Sequence, residues 1–216
     1  VLITLAIVGV IASLTIPTLL QNTKKEEYVA GLKKSYSVLS QAYKLLESEN
    51  NGNFSSLITG SDGASEANLM NAFATKLNVI KNCGSGFGCW YNSPRKFLNG
   101  SEQTPNLEYY YGPDGYGKAI LNDGTMILID ITSETCTEDK GTGPLKNSTC
   151  GRIIVDINGA KAPNTIGRDI FYFFITKTGI VPFGAFDHTT CEPTIADLTK
   201  NQGCTAKVLK EGAMNY

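Results

Sequence analysis

The chain begins with a long apolar segment. From Val1 to Gln21 there is no charged residue, and the polar side chains are hydroxyls and one glutamine. Hydroxyls can bond back to helix carbonyls, so they do not break an apolar helix. About 20 residues at 1.5 Å each reach about 30 Å, the thickness of the hydrocarbon core of a bilayer. The pattern predicts an apolar helix over residues 1–21 that is long enough to span a membrane.

This segment continues without a turn signal into an amphipathic one. Over residues 22–50 the apolar positions recur at steps of three and four, the period of one helix face, and lysines and glutamates fall off that stripe. A signal peptide would begin with basic residues and have a shorter apolar core, while a plain anchor leaves the continuation unexplained. The sequence therefore predicts one long helix, whose buried stripe is Val29, Leu32, Tyr36, Leu39, Tyr43 and Leu46.

Two residues weaken the apolar part of this helix. Gly9 costs about 1 kcal/mol in a helix interior, and Pro17 removes a backbone hydrogen bond and crowds the preceding turn. The stretch from Gly9 to Pro17 is predicted to be the part that can unwind or stretch.

After Asn50 the pattern predicts a loop, a short helix over Glu66 to Val79 with Ser65 as its cap, and then strands. Trp90 is predicted to cover the core rather than bind a ligand. Asn-Gly, Asp-Gly and Thr-Gly turn signals favour short antiparallel connections. The fold class is therefore α+β, a long N-terminal α-helix packed against an antiparallel β-sheet domain over residues 51–216, here called the head. The predicted strands are 109–112, 117–121, 125–131, 151–157, 169–176 and 179–184.

Charge and cysteines narrow the class of protein. The chain has 19 basic and 20 acidic residues, a formal net charge of −1, so it has no global field that favours nucleic acid. Its six cysteines lie outside the apolar start, without a C-x-x-C motif, as in secreted or periplasmic disulfide domains. A zinc site is the weaker alternative. The simplest pairing joins sequence neighbours: Cys83 with Cys89, Cys136 with Cys150, and Cys191 with Cys204.

The first fifty residues resemble the type IV pilin superfamily, which includes pilins and the pseudopilins of type II secretion. The resemblance rests on the uncharged run LAIVGVIASLTIPTLL, with Gly9 and Pro17 at the family spacing, and on the Lys/Glu-rich amphipathic helix that follows. Aligning these residues implies that about five mature residues, including a glutamate, and a basic leader precede Val1. The cysteines, together with such a leader, favour a head outside the cytoplasm.

The resemblance implies a structural subunit that is held in the inner membrane and then polymerised by a pilus assembly machinery. In the resulting extracellular filament, the apolar helices of identical subunits would bundle to form the core. The Gly9 to Pro17 stretch is where pilin helices lose regularity in filaments. The expected core and flexible positions are Val1, Leu5, Val8, Gly9, Ile11, Leu14, Pro17 and Leu20.

Candidate metal-ligating side chains occur in one stretch of the sequence, VDINGAKAPNTIGRD. Asp156, Asn158, Asn164 and Asp169 place four side-chain oxygens within a short loop, as a calcium site needs, although the spacing is not that of an EF-hand. Pseudopilins often carry calcium in this part of the head. The alternative is an Asn-Gly hairpin followed by a Pro-Asn turn, in which Asp169 caps neighbouring backbone.

The sequence contains no evident set of residues that would form a catalytic site. His188 lies near Cys191, but Cys191 has an expected disulfide partner, and no phosphate-binding loop or metal-ligand pair is present in the sequence. The sequence therefore predicts a filament subunit without enzymatic activity or a required cofactor. The alternatives are a pseudopilin of a type II secretion system and a membrane-tethered extracellular binding module that stays monomeric.

Overall fold

A computed structural model describes the backbone of residues 2–104, 107 and 115–216, and their side chains except at 2–9, 12, 14 and 18. Three predictions concern positions outside this set. The strand over 109–112 and the role of Val1 lie beyond the described residues, as do the side chains of Leu5, Val8 and Leu14.

Helix α1 runs unbroken over Leu2–Glu49, about 72 Å at 1.5 Å per residue, and includes Pro17. Hydroxyls in its apolar part bond back to carbonyls of the preceding turn, as expected: Ser13 Oγ donates to the Val10 carbonyl at 2.8 Å and Thr15 Oγ1 to the Ile11 carbonyl at 2.9 Å. In the single chain the Gly9 to Pro17 stretch is helical. Its loss of regularity in a filament stays a prediction.

Six strands of the described residues form one antiparallel sheet, in the order β1-β4-β5-β6-β7-β8. A two-stranded hairpin lies apart from it. The strands of the large sheet are β1 (Val79–Gly84), β4 (Gly117–Leu121), β5 (Met126–Ile131), β6 (Thr149–Asp156), β7 (Ile170–Thr176) and β8 (Ile180–Pro182), and those of the hairpin are β2 (Arg95–Lys96) and β3 (Glu102–Gln103).

The short helices are α2 (Gly63–Ala74), α3 (Leu198–Gln202) and α4 (Cys204–Glu211), with 3-10 turns at Phe54–Leu57 and Gly143–Leu145. The predicted bounds of α2 were wrong. Its N-cap is Asp62, whose carboxylate accepts from the Ser65 backbone N–H at 2.8 Å. The helix ends at Ala74, and Val79 already belongs to β1, an edge strand that pairs with β4.

Both faces of the sheet are buried. One face packs on α2 and on the predicted stripe of α1, where Tyr36 stacks on Phe173 with ring centroids 5.7 Å apart. The opposite face is covered by loops and the β2–β3 hairpin, and Trp90 is part of that second core, as predicted. Two covered faces explain why β7 reads as a continuous apolar run, since every one of its residues is buried.

All three predicted disulfides are present: Cys83–Cys89, Cys136–Cys150 and Cys191–Cys204. Each bond closes a short loop of the head, and Cys150 anchors one of them within β6 in the buried core. The C-terminal loop is thereby tied to the start of α4 at Cys204.

Candidate functional site

The N-terminal half of α1 is an apolar surface that the head leaves uncovered. Five large side chains there are more than half exposed, whereas from Val29 onward the same helix buries its stripe against the sheet. The exposed residues are Val10 (61%), Ile11 (56%), Ile16 (53%), Leu19 (66%) and Leu20 (60%).

Two of these, Ile11 and Leu20, were predicted as filament-core positions, and Pro17 is exposed between them. The other three, Val10, Ile16 and Leu19, belong to the same uncharged run but were not singled out. At about 100° per residue the five side chains are distributed around the whole circumference of the helix. An apolar helix with no polar face is typical of a buried position.

The helix is fixed to the head beyond its apolar half. Lys25 Nζ donates to the carbonyls of Met214 at 3.0 Å and Tyr216 at 2.8 Å. Further along, Lys34 pairs with Asp123 at 2.6 Å, in the turn between β4 and β5. These contacts hold the head on the C-terminal half of α1 and leave the apolar half projecting from it.

Within the part of the chain that the structure describes, no helix has the length and apolarity needed to cross a membrane.

A second candidate site lies in the loop between β6 and β7. Three buried oxygens there have no hydrogen-bond partner: Asp156 Oδ2, Asn158 Oδ1 and Asn164 Oδ1. Asp169, in contrast, accepts from the backbone N–H groups of Asn164 at 2.9 Å and Thr165 at 2.6 Å. Asp169 thus caps neighbouring backbone, as in the turn interpretation of the sequence. Calcium binding by this loop stays a prediction.

Both carboxyl groups of this loop are fully buried. Burial, together with the negative charge of Asp169, raises the pKa of Asp156 to about 8. Burial also raises the pKa of Asp169 to about 6, against the effect of the N–H groups that it accepts from. A buried carboxylate whose ionised form is disfavoured in this way is stabilised by a nearby cation.

The side chains of this loop offer oxygen atoms, the ligand type that calcium binds. Calcium takes six to eight oxygens from carboxylates, amide carbonyls, backbone carbonyls and water. Asp156, Asn158 and Asn164 would supply side-chain oxygens, and Asp169 would supply charge. The described residues hold no cluster of three or more His, Cys, Asp or Glu side chains suited to a metal, and this set has only two carboxylates.

Sequence reasoning missed Tyr91 at this site. Its hydroxyl is buried beside Asp156, and burial together with the negative charge of Asp156 raises the pKa of Tyr91. Tyr91 follows the Cys83–Cys89 loop in the chain, far from residues 156–169. No periodicity or spacing connects the two segments, so only the folded structure could bring them together.

The Cys–His pair considered from sequence has no free thiol, since Cys191 is bonded to Cys204. His188 lies on an exposed stretch at a φ of 58°.

The chain matches no family model, no curated protein and no solved structure.

Proposed function

We propose that this protein is the structural subunit of a type IV pilus-like extracellular filament, and that it polymerises through the apolar half of α1. The observation that carries the proposal is the exposure of Val10, Ile11, Ile16, Leu19 and Leu20 on a helix whose other half is packed against the head. A soluble single chain would leave this surface in water.

Covering the exposed apolar side chains of α1 contributes a large favourable free energy to association. Fully burying one large aliphatic side chain contributes about 1.5–3 kcal/mol, so covering the remaining exposed area of these five gives roughly 5–9 kcal/mol per chain before ordering costs. Apolar side chains not described here would add to this. A change of a few kcal/mol is enough to shift an association equilibrium by orders of magnitude.

Other copies of the same helix are the occupant that fits this surface best. A single flat partner would cover one side of the helix, whereas the exposed side chains surround it. Several identical neighbours, packed side by side in a bundle, cover the whole circumference. The heads, tied to the C-terminal halves by Lys25 and Lys34, would then form the outer layer of the filament.

The proposal places the head outside the cytoplasm, where disulfides persist. Before assembly, the apolar half of α1 would be kept from water by the inner membrane, and an assembly machinery would transfer it into the filament. We further propose that the β6–β7 loop binds calcium, which its unpartnered buried oxygens support.

The calcium loop also favours a second candidate, a pseudopilin of a type II secretion system. The resemblance associates calcium with this part of the head in pseudopilins, and their polymer is a short periplasmic one. The membrane-tethered binding module stays a third alternative, and it would be monomeric.

The experiment is electron microscopy of appendages sheared from cells that make the protein, with mass spectrometry of their subunit. Long filaments composed of this chain support the proposal. Filaments found only in the periplasm indicate the pseudopilin. Monomeric protein that never yields a fibre contradicts both.

A further inference from the structure

A small cavity with both polar and apolar side chains in its lining is found on the face of the sheet opposite to α1. Its volume is about 210 Å³. It is open to solvent on one side and is bordered by β6 and β7 of the sheet, the β2–β3 hairpin and α3. No sequence pattern predicted that these elements would meet. Among the described residues, the polar side chains around it are Arg95, Gln103, Thr104, Tyr116, Arg152, Tyr172 and Gln202.

Arg95 is the unusual member of this set. It is only 4% exposed, and it donates from Nη1 to the Tyr172 hydroxyl. Its Nε–H has no hydrogen-bond partner, and no carboxylate of the described residues forms an ion pair with it. A buried guanidinium without an ion-pair partner is costly, since the charge has lost its water without gaining a counter-ion.

The second guanidinium of the cavity is already neutralised. Arg152 Nε donates to Asp130 Oδ2 at 2.6 Å, between directly paired residues of β6 and β5. Gln202, which is 4% exposed, adds a side-chain Nε2 without a hydrogen-bond partner. The cavity therefore presents N–H donors and one uncompensated positive charge.

We propose that this cavity binds a small carboxylate anion. One unbalanced charge calls for a monoanion, and the planar guanidinium fork matches the two oxygens of a carboxylate. The volume lies below the 300–1,000 Å³ range of sites for drug-sized ligands, which favours an organic acid of a few heavy atoms. The inference concerns the head alone and is independent of filament assembly.

Ligand-observed NMR of the full-length chain in detergent tests this, with acetate as the probe and acetamide as its neutral isostere. We expect acetate to bind in the millimolar range and acetamide not to bind. Arg95→Gln should weaken acetate binding about tenfold or more, since hydrogen bonds to charged groups are the strong ones. Arg168→Gln, an arginine outside this cavity, should leave it unchanged.

The variant Arg95→Lys distinguishes a loss of acetate binding from a loss of folding. It keeps the charge but not the fork, so a folded Arg95→Lys protein should bind acetate more weakly than the wild type and still reject acetamide. Circular dichroism checks that each variant is folded. Equal signals from acetate and acetamide in the wild type, or wild-type acetate affinity in both folded Arg95 variants, would overturn the proposal.

Discussion

The Tyr43 hydroxyl donates a hydrogen bond to the Thr176 backbone carbonyl at 2.9 Å, inside the core between α1 and the end of β7. The Tyr43 ring stacks on Phe54 with centroids 4.1 Å apart. A residue on the amphipathic half of α1 is thus both packed and hydrogen-bonded to the sheet. This half of the helix is part of the head, whereas the apolar half has no such contacts in the described residues.

Replacing Tyr43 by Phe should destabilise the head by about 1–2 kcal/mol, because the ring packing is kept while a buried carbonyl loses its donor. Urea unfolding followed by circular dichroism measures the change. Tyr36→Phe is the matched control, since Tyr36 stacks on the same core through its ring and is half-buried. It should change stability by less than about 0.5 kcal/mol. Equal effects of the two variants would contradict the role assigned to the Tyr43 hydroxyl.

Glu66 gives the head a pH-dependent stability. Its buried carboxylate accepts from the backbone N–H groups of Tyr116 and of Ile131, the latter at 3.0 Å. Burial, with the nearby Asp130, raises the pKa of Glu66 from its ordinary 4.5 to about 7. Between these values the folded state holds a proton that the unfolded chain has released. Stability from this group is therefore present below about pH 4.5 and is lost as the pH rises to about 7.

Glu66→Gln removes this titration. The stability difference between the wild type and Glu66→Gln should shift against the wild type as the pH rises from 5 to 8, which urea unfolding at each pH measures. Subtracting the variant cancels other titrating groups. Glu26→Gln, on the exposed face of α1, should show no such trend. A constant difference would show that Glu66 keeps its ordinary pKa in the folded state, and a difference that moves in the opposite direction would show that its pKa is lowered; either result contradicts the prediction.

Calcium should stabilise the head through the β6–β7 loop. For a site in the weak extracellular range of about 0.1–1 mM, 10 mM calcium contributes about 1.4–2.7 kcal/mol, seen as a higher melting temperature than in EDTA. Asp156→Asn should abolish this response, since it removes the charge of one oxygen ligand. Asp139→Asn, on an exposed loop, should retain it. A wild-type melting temperature that is equal in calcium and EDTA would exclude the site.

The local spacing of apolar residues, turn signals and cysteines was enough to predict much of the fold. The stripe from Val29 to Leu46 keeps one period over five turns, so the helix and its buried face follow from spacing alone. Asn122-Asp123-Gly124 and Thr178-Gly179 are turns that connect adjacent strands, and the short loops between cysteines made neighbour pairing the simplest choice.

What the sequence did not predict depends on contacts between distant segments. β1 contains Lys81 and Asn82 and has little apolar periodicity, and it is a strand because it pairs with β4. Ser65 and Asp62 are both good N-caps, and the choice between them depends on packing of α2 under the sheet. Tyr91 and Arg95 meet their sites only through the tertiary fold, and no local signal marks them.

The central claim, that the chain assembles into filaments through the apolar half of α1, is tested most directly by comparing two matched variants. Ile16 and Leu45 are both 53% exposed, the first on the apolar half of α1 and the second on the half that carries the head. Lysine at each position is introduced in cells that make the protein, and filaments are counted by electron microscopy after the head is shown to be folded. We expect Ile16→Lys to abolish filaments, because it places a charge in the bundled core, and Leu45→Lys to leave them at wild-type number. Normal filaments from Ile16→Lys would contradict assembly through this helix.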